Sequence, residues 1–209
     1  MNKIENVIQS DTKYKISGTN SIISATELDS YTDSPVVGKH AYIIETTSKT
    51  ALVSGFTTEL GEPIRVPIVI AAIIYDCEYT GNSHIMIIHN ALYFKNMEVN
   101  LIPPIIMRIA GLEVDECPKF LSKNPTESNH SIFFPDEDLR IPLLIEGIIS
   151  YIPTRKPSLE EYNERAGDYL LLTPNLPDWN PHSDEYKDQE YGMLDYNGNI
   201  KQGKPRTCR

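Results

Sequence analysis

The chain has 209 residues, 40% of them hydrophobic and 23% charged, with a formal net charge of −10. That hydrophobic share supports a true core. The acidic balance argues against a nucleic-acid-binding surface, which needs clustered Lys and Arg to displace counterions from phosphates, and against docking on an anionic membrane.

Cys77, Cys117 and Cys208 are odd in number and far apart, which is neither a disulfide framework nor a zinc motif. They read as reduced thiols, with Cys77 and Cys117 as buried structural residues, in a cytosolic or nuclear (intracellular) setting. Met1 to Ser10 has no apolar run of the signal-peptide kind, and no segment approaches the roughly 18 apolar residues of a membrane span.

Residues 1–20 are polar and read as a flexible lead-in. From Ile22 to about Val114 the pattern predicts strand after strand. Ala41–Glu45, Ala51–Phe56, Ile64–Tyr75 and His84–Phe94 are rich in Ile, Val and Tyr and short for helices. Gly61, Tyr79–Ser83 and Lys95-Asn96 mark turns, and the runs around Thr80-Gly81-Asn82 predict a hairpin. A short helix is expected over Ile105–Ala110, with Pro104 in its first turn and Gly111 at its end.

The composition shifts past Val114, and ten of the fifteen prolines follow residue 115. Residues 21–115 are therefore read as one β-rich domain. Residues 116–209 are read as a Pro-rich acidic extension with a strand pair at Ile141–Ile145 and Gly147–Ile152. The capping box Ser158-Leu159-Glu160-Glu161 predicts a helix to about Ala166. From Thr173 onward an extended or partly disordered tail is expected.

The segment with the most chemistry is Leu28-Asp29-Ser30-Tyr31-Thr32-Asp33-Ser34-Pro35-Val36-Val37-Gly38. A carboxylate follows an apolar position, a hydroxyl residue comes next, and the run leads into two valines. This resembles the active-site loop of retroviral and retrotransposon (retropepsin-like) aspartic proteases, Asp-Thr/Ser-Gly-Ala followed by two aliphatics. Val99-Asn100-Leu101-Ile102-Pro103-Pro104-Ile105-Ile106 resembles the late aliphatic strand and short helix of that family. A narrower resemblance is to copia-type retroelement polyprotein segments of algae, fungi and protists, carried by Leu28–Gly38, Pro67–Gly81 and Val114-Asp115-Glu116-Cys117-Pro118-Lys119-Phe120-Leu121.

The resemblance implies an all-β, closed-barrel fold with a flap hairpin near Leu52–Val66, one short helix and an irregular mixed extension. It implies Asp29 as the catalytic residue and Ser30, Tyr31, Thr32, Asp33, Gly55, Phe56 and Gly61 at the substrate-binding surface. It further implies a homodimer acting on a polypeptide, with no cofactor or metal. Tyr31 stands where that family keeps glycine, and Pro103 replaces a second glycine. The alternative is therefore a catalytically inactive, dimerising or interaction module. His84 and His89, five apart on one predicted strand, face opposite ways and are read as ordinary strand residues.

Overall fold

Long aliphatic runs need burial on both faces, and the fold supplies it. In the computed structural model, which describes residues 24–55, 61–165 and 167–201, the first long strands form a meander. These are β3 (Tyr42–Val53), β4 (Ile64–Asp76) and β5 (Ser83–Tyr93). Each pairs antiparallel with the next, and β3 joins into one bulged strand what the sequence suggested as two. The turn from β4 to β5 is closed where Cys77 N–H donates to Asn82 O, with Gly81 at φ +71°.

Around this meander the shorter elements complete a main sheet. Its order is β10-β11-β1-β6-β2-β5-β4-β3, and β12 (Tyr169–Leu171) pairs parallel with β5. Here β1 is Ser24–Leu28, β2 Val36–Val37, β6 Asn100–Ile102, β10 Leu144–Glu146 and β11 Ile149–Thr154. A second, three-stranded sheet holds β7 (Glu113–Asp115), β8 (Ser131–Phe134) and β9 (Leu139–Pro142). The all-β expectation holds in this broad sense. The closed barrel does not: the path ends at β10 on one side and β3 on the other, and these two do not pair. Arg155, just past β11, exchanges both backbone hydrogen bonds with Ile74 of β4, so the two sides of the path meet in a single bridge rather than a continuous ladder. Strands from both sides of residue 115 share this sheet.

Alternation along β4 and β5 sends residues to two cores. One face buries Ile73, Tyr75, Met86 and Ile88 against Ile102, Met107 and the small sheet's Ile132, Phe134 and Ile141. The opposite face buries Ala72, Ile74, Ile85 and Ile87 against Tyr42, Tyr162 and Tyr169. A third cluster gathers Val36, Val66 and Leu92 with Ala51, Val53 and Leu101.

The helix α1 (Pro104–Ile109) begins as expected, with Pro in its first turn. It ends in a Schellman arrangement: Gly111 N–H donates to Arg108 O and Leu112 N–H to Met107 O, with Gly111 at φ +94°. The helix α2 (Leu159–Glu164) carries the expected capping box from Ser158 and Glu161. Arg155 clamps it to the sheet by donating to Asp76 and Glu161. The Arg155 hydrogen bond is the main cause holding the Glu161 carboxyl down at about 2.

The tail departs from its expected extended form, because Ser183 caps a helix α3 (Asp184–Gly192). Its first turn carries Asp184 and Glu185, which suit the positive end of a helix dipole. The lead-in 1–20 lies outside the described residues. No helix among the described residues is long and apolar enough to cross a membrane.

A buried polar line holds the centre of the sheet. Gly38 N–H donates to Asn100 Oδ1 at 3.0 Å, and Asn100 Nδ2 donates to Thr26 Oγ1 at 3.1 Å. Thr26 and Thr154 then share a 2.7 Å hydroxyl contact. Asn100, Thr26 and Thr154 are buried, so none of these groups has water as a substitute. Replacing Asn100→Leu leaves the Gly38 N–H buried and unpaired. The expected loss is about 2–4 kcal/mol of stability, read as a lower urea midpoint with the m-value unchanged.

Candidate functional site

The loop that follows β1 owes its position to the strand threaded beside it. β6 runs parallel to β1 (Leu28↔Ile102) and antiparallel to β2 (Val36↔Leu101), so it lies between the two strands that flank residues 29–35. Asp29 N–H extends the β1–β6 ladder by one step, donating to Ile102 O at 3.2 Å. Gly38 is required on the far side: a Cβ there would meet Met97 O at 2.2 Å. The loop is thus pinned at both ends.

Within the loop Asp29 organises its own turn. Its Oδ1 accepts the Tyr31 N–H at 2.8 Å, an Asx turn, and its main-chain O accepts the Thr32 hydroxyl at 3.1 Å. Asp29 is half-buried and Ser30 is exposed. The Tyr31 ring is 82% exposed. Thr32 is half-buried, and Asp33, also exposed, faces His182 of the tail at 3.2 Å. Pro35, though it lacks a donor, still supplies its carbonyl to Leu92 N–H. Pro103, expected as a departure from the family glycine, sits buried as the residue before α1, where its O accepts Ile106 N–H.

The structure brings Asp29, Ser30, Tyr31, Thr32 and Asp33 into one short loop. Gly55 and Gly61 lie on the distal end of the β3–β4 hairpin, both exposed, with Gly61 at φ +107°. Phe56, the remaining expected contact residue, lies outside the described residues.

Glu27 is the residue that the sequence reading missed. Side chains two apart on a strand share a face, so Glu27 stands on the Asp29 side of β1, level with Leu101 of β6. Burial raises the Glu27 carboxyl above its ordinary range, and the neighbouring Asp29 charge raises it further. The period-two spacing from Asp29 was the signal in the sequence. One chain therefore presents two coupled carboxylates, one of them biased toward the protonated form.

The chain matches no family model, no curated protein and no solved structure. No family is assigned on these comparisons.

Other candidate groups are explained by packing. His84 stacks on Tyr75 at 6.4 Å, and burial lowers its pKa, as it does for His89. Cys77 is buried as expected, but Cys117 is exposed, a correction. Its segment turns outward because Cys117 N–H is tied to the Asp115 side chain and Arg108 holds the adjacent Glu116. No group of three or more His, Cys, Asp or Glu among the described residues is arranged so that it could hold a metal ion. A separate cleft lined by Tyr75, Tyr79, Leu144, Pro153 and Arg155 lies at the opposite end of β1, and its arginine is already neutralised by Asp76.

In the Asp29→Asn variant the Glu27 carboxyl should titrate at lower pH than in the wild type, because one of its two raising influences is gone. It should stay above an ordinary glutamate, since burial is the larger cause. Carbon-13 NMR titration of the side-chain carboxyls reads both shifts. An unmoved Glu27 would mean that the two groups are not coupled.

Proposed function

We propose that the chain is a retroelement-type aspartic endopeptidase, retropepsin-like in its catalytic part, that processes a polyprotein through a dyad of Asp29 from two copies. The single observation that carries this reading is the threading of β6 between the strands on either side of the Asp29 loop. That arrangement pins a carboxylate at the end of a strand while leaving its loop at the surface. One chain supplies one such loop, so the assembly is isologous. Two carboxylates within hydrogen-bonding distance share one proton because like charges that close do not both ionise. The ionised member takes a proton from water as the water attacks the peptide carbonyl, whose oxygen takes the proton of the other member. The tetrahedral adduct then collapses, the C–N bond breaking as the first carboxyl hands its proton to the leaving amine and the second recovers its own. No covalent intermediate or metal enters these steps.

Exposed apolar residues gather at the same end of the sheet. Extending the β1–β11 register from Glu27↔Tyr151 brings Ile149 level with Asp29 and Ile148 level with Ser30. Ile148 sits second in the two-residue turn after Gly147, where polar residues are usual, and is 95% exposed. Tyr31 and Ile105 of α1 are exposed nearby in the chain path, after Asp29 and Ile102 respectively. Such a surface suits a second copy.

A second reading, a catalytically inactive dimerising module, is favoured by Tyr31. Where glycine lets partner loop and substrate approach, a large exposed ring stands beside Asp29. Both readings share the dimer and differ in cleavage.

Incubating the purified chain with a diverse peptide pool between pH 4 and 7, beside Asp29→Asn, separates them. The endopeptidase cleaves, and the variant does not although it folds, since Asn keeps the volume and removes the ionisation. Silence from wild type at concentrations where it dimerises selects the inactive module. Ile148→Glu, which places two carboxylates at the proposed two-fold, should weaken dimerisation by about tenfold or more in analytical ultracentrifugation. A dimer indifferent to Ile148→Glu would place the interface elsewhere.

A further inference from the structure

After β12 the chain leaves the sheet but not the protein. Leu172 N–H donates to Ile87 O at 3.0 Å, and Thr173 makes two bonds to the His89 backbone: it accepts from His89 N–H at 2.7 Å and donates to His89 O at 3.2 Å. Next comes Asn90, at φ +55°, beyond which β2 takes over this edge of β5. The tail is therefore turned off the sheet. From there its main chain is held by side chains: Asn90 Nδ2 donates to Leu176 O at 3.0 Å, and Lys49 Nζ donates to Pro177 O. Lys49 of β3 also faces Asp178 at 3.5 Å, and His182 reaches Asp33 at 3.2 Å.

Three features distinguish this path from a solvated tail. The contacts at 176 and 177 go to backbone carbonyls, the mode by which an extended peptide is held whatever its side chains. Pro174, Pro177 and Pro181 fix φ at three positions of the segment, which lowers the entropy lost on docking. The path also ends on Asp33, four residues from Asp29 in the same loop.

We propose that residues 173–183 are an intramolecular strap occupying the peptide-receiving surface beside the Asp29 loop, and that the strap must lift before another polypeptide enters. This rests on the reading of that loop as a peptide site. The receiving side chains are Asn90, Lys49 and Asp33, and the occupant is the chain's own Pro-rich, acidic segment. The fastening is graded. Leu170 and Leu172 are buried and keep β12 in place, whereas the two ion pairs are exposed. Exposed pairs contribute little, so the distal part opens reversibly while the proximal part stays docked.

The test uses the full chain with Lys49→Glu, Asp178→Lys and the double swap. Hydrogen exchange of the amides in 175–183 should quicken about threefold or more in each single variant, and the swap should recover only the share carried by the pair at 49 and 178, since a carboxylate at 49 cannot donate to Pro177 O. A fluorescein-labelled peptide of sequence 173–183, added in trans, should bind Asp178→Lys at least severalfold more tightly than wild type, since its own strap no longer competes. Unchanged exchange in both single variants overturns the strap. Quickened exchange with equal peptide binding to wild type and Asp178→Lys also overturns it, showing a tether that blocks nothing. Neither readout requires cleavage, so a chain that hydrolyses no peptide would remove the endopeptidase reading and leave this test to be decided separately.

Discussion

The line of buried hydrogen bonds from Gly38 through Asn100 and Thr26 to Thr154 crosses four segments that are distant in sequence: the end of β2, β6, β1 and β11. Each donor and acceptor along it is withdrawn from water, so the line is satisfied in one register or not at all. A one-residue slip of β6 would strand the Gly38 amide and turn Ile102 out of the core, where it is fully buried. The same slip would remove the carbonyl that receives Asp29 N–H. The position of the candidate site is thus a consequence of a polar network on the opposite side of β1.

Around that centre the sheet has two characters. The β4–β5 pair is covered on both faces and reads as near-continuous aliphatic sequence, as a doubly buried strand must. The β1–β6–β2 group is short, with Thr26, Asn100 and Ile102 on one face and Glu27, Asp29 and Leu101 on the other, where Leu101 packs with Val36. A close backbone approach and charge gather on this second group. Gly38 accepts a backbone approach that no side chain would survive, and two carboxylates share one strand face. The electrostatics differ from those of the Arg155 clamp, where an arginine beside Asp76 and Glu161 holds both carboxyls low and leaves nothing to titrate near neutrality. Carboxylates opposed by an arginine serve structure.

The C-terminal segment binds these parts together. Composition set it apart from the β-rich half, yet β10, β11 and β12 complete the sheet, and the segment beyond β12 returns to the Asp29 loop through His182. The edge strand β10 and the turn residue Ile148 leave an apolar end uncovered beside the same loop. The loop is therefore approached by the chain's own tail, and an exposed apolar end lies beside it.

Local chemistry was legible in the sequence wherever a local cause decides the structure. Ser158 and Glu161 announced their capping box, Pro104 and Gly111 bracketed α1, Thr80-Gly81-Asn82 marked the hairpin, and the aliphatic runs became β4 and β5. The contiguity of residues 29–33 in one loop needed no fold at all. Glu27 was within reach through period-two spacing, but its coupling to Asp29 depends on burial, which a single strand does not disclose. Only the tertiary structure decided that β6 enters between β1 and β2, that β10 and β3 stay unpaired while Arg155 bridges to Ile74, and that the tail docks and forms α3. These outcomes rest on hydrogen bonds between residues as far apart as Thr26 and Thr154 or Asn90 and Leu176. Propensity and pattern act over a few residues. Pairing across the chain is selected by the joint burial of partners that no local window contains.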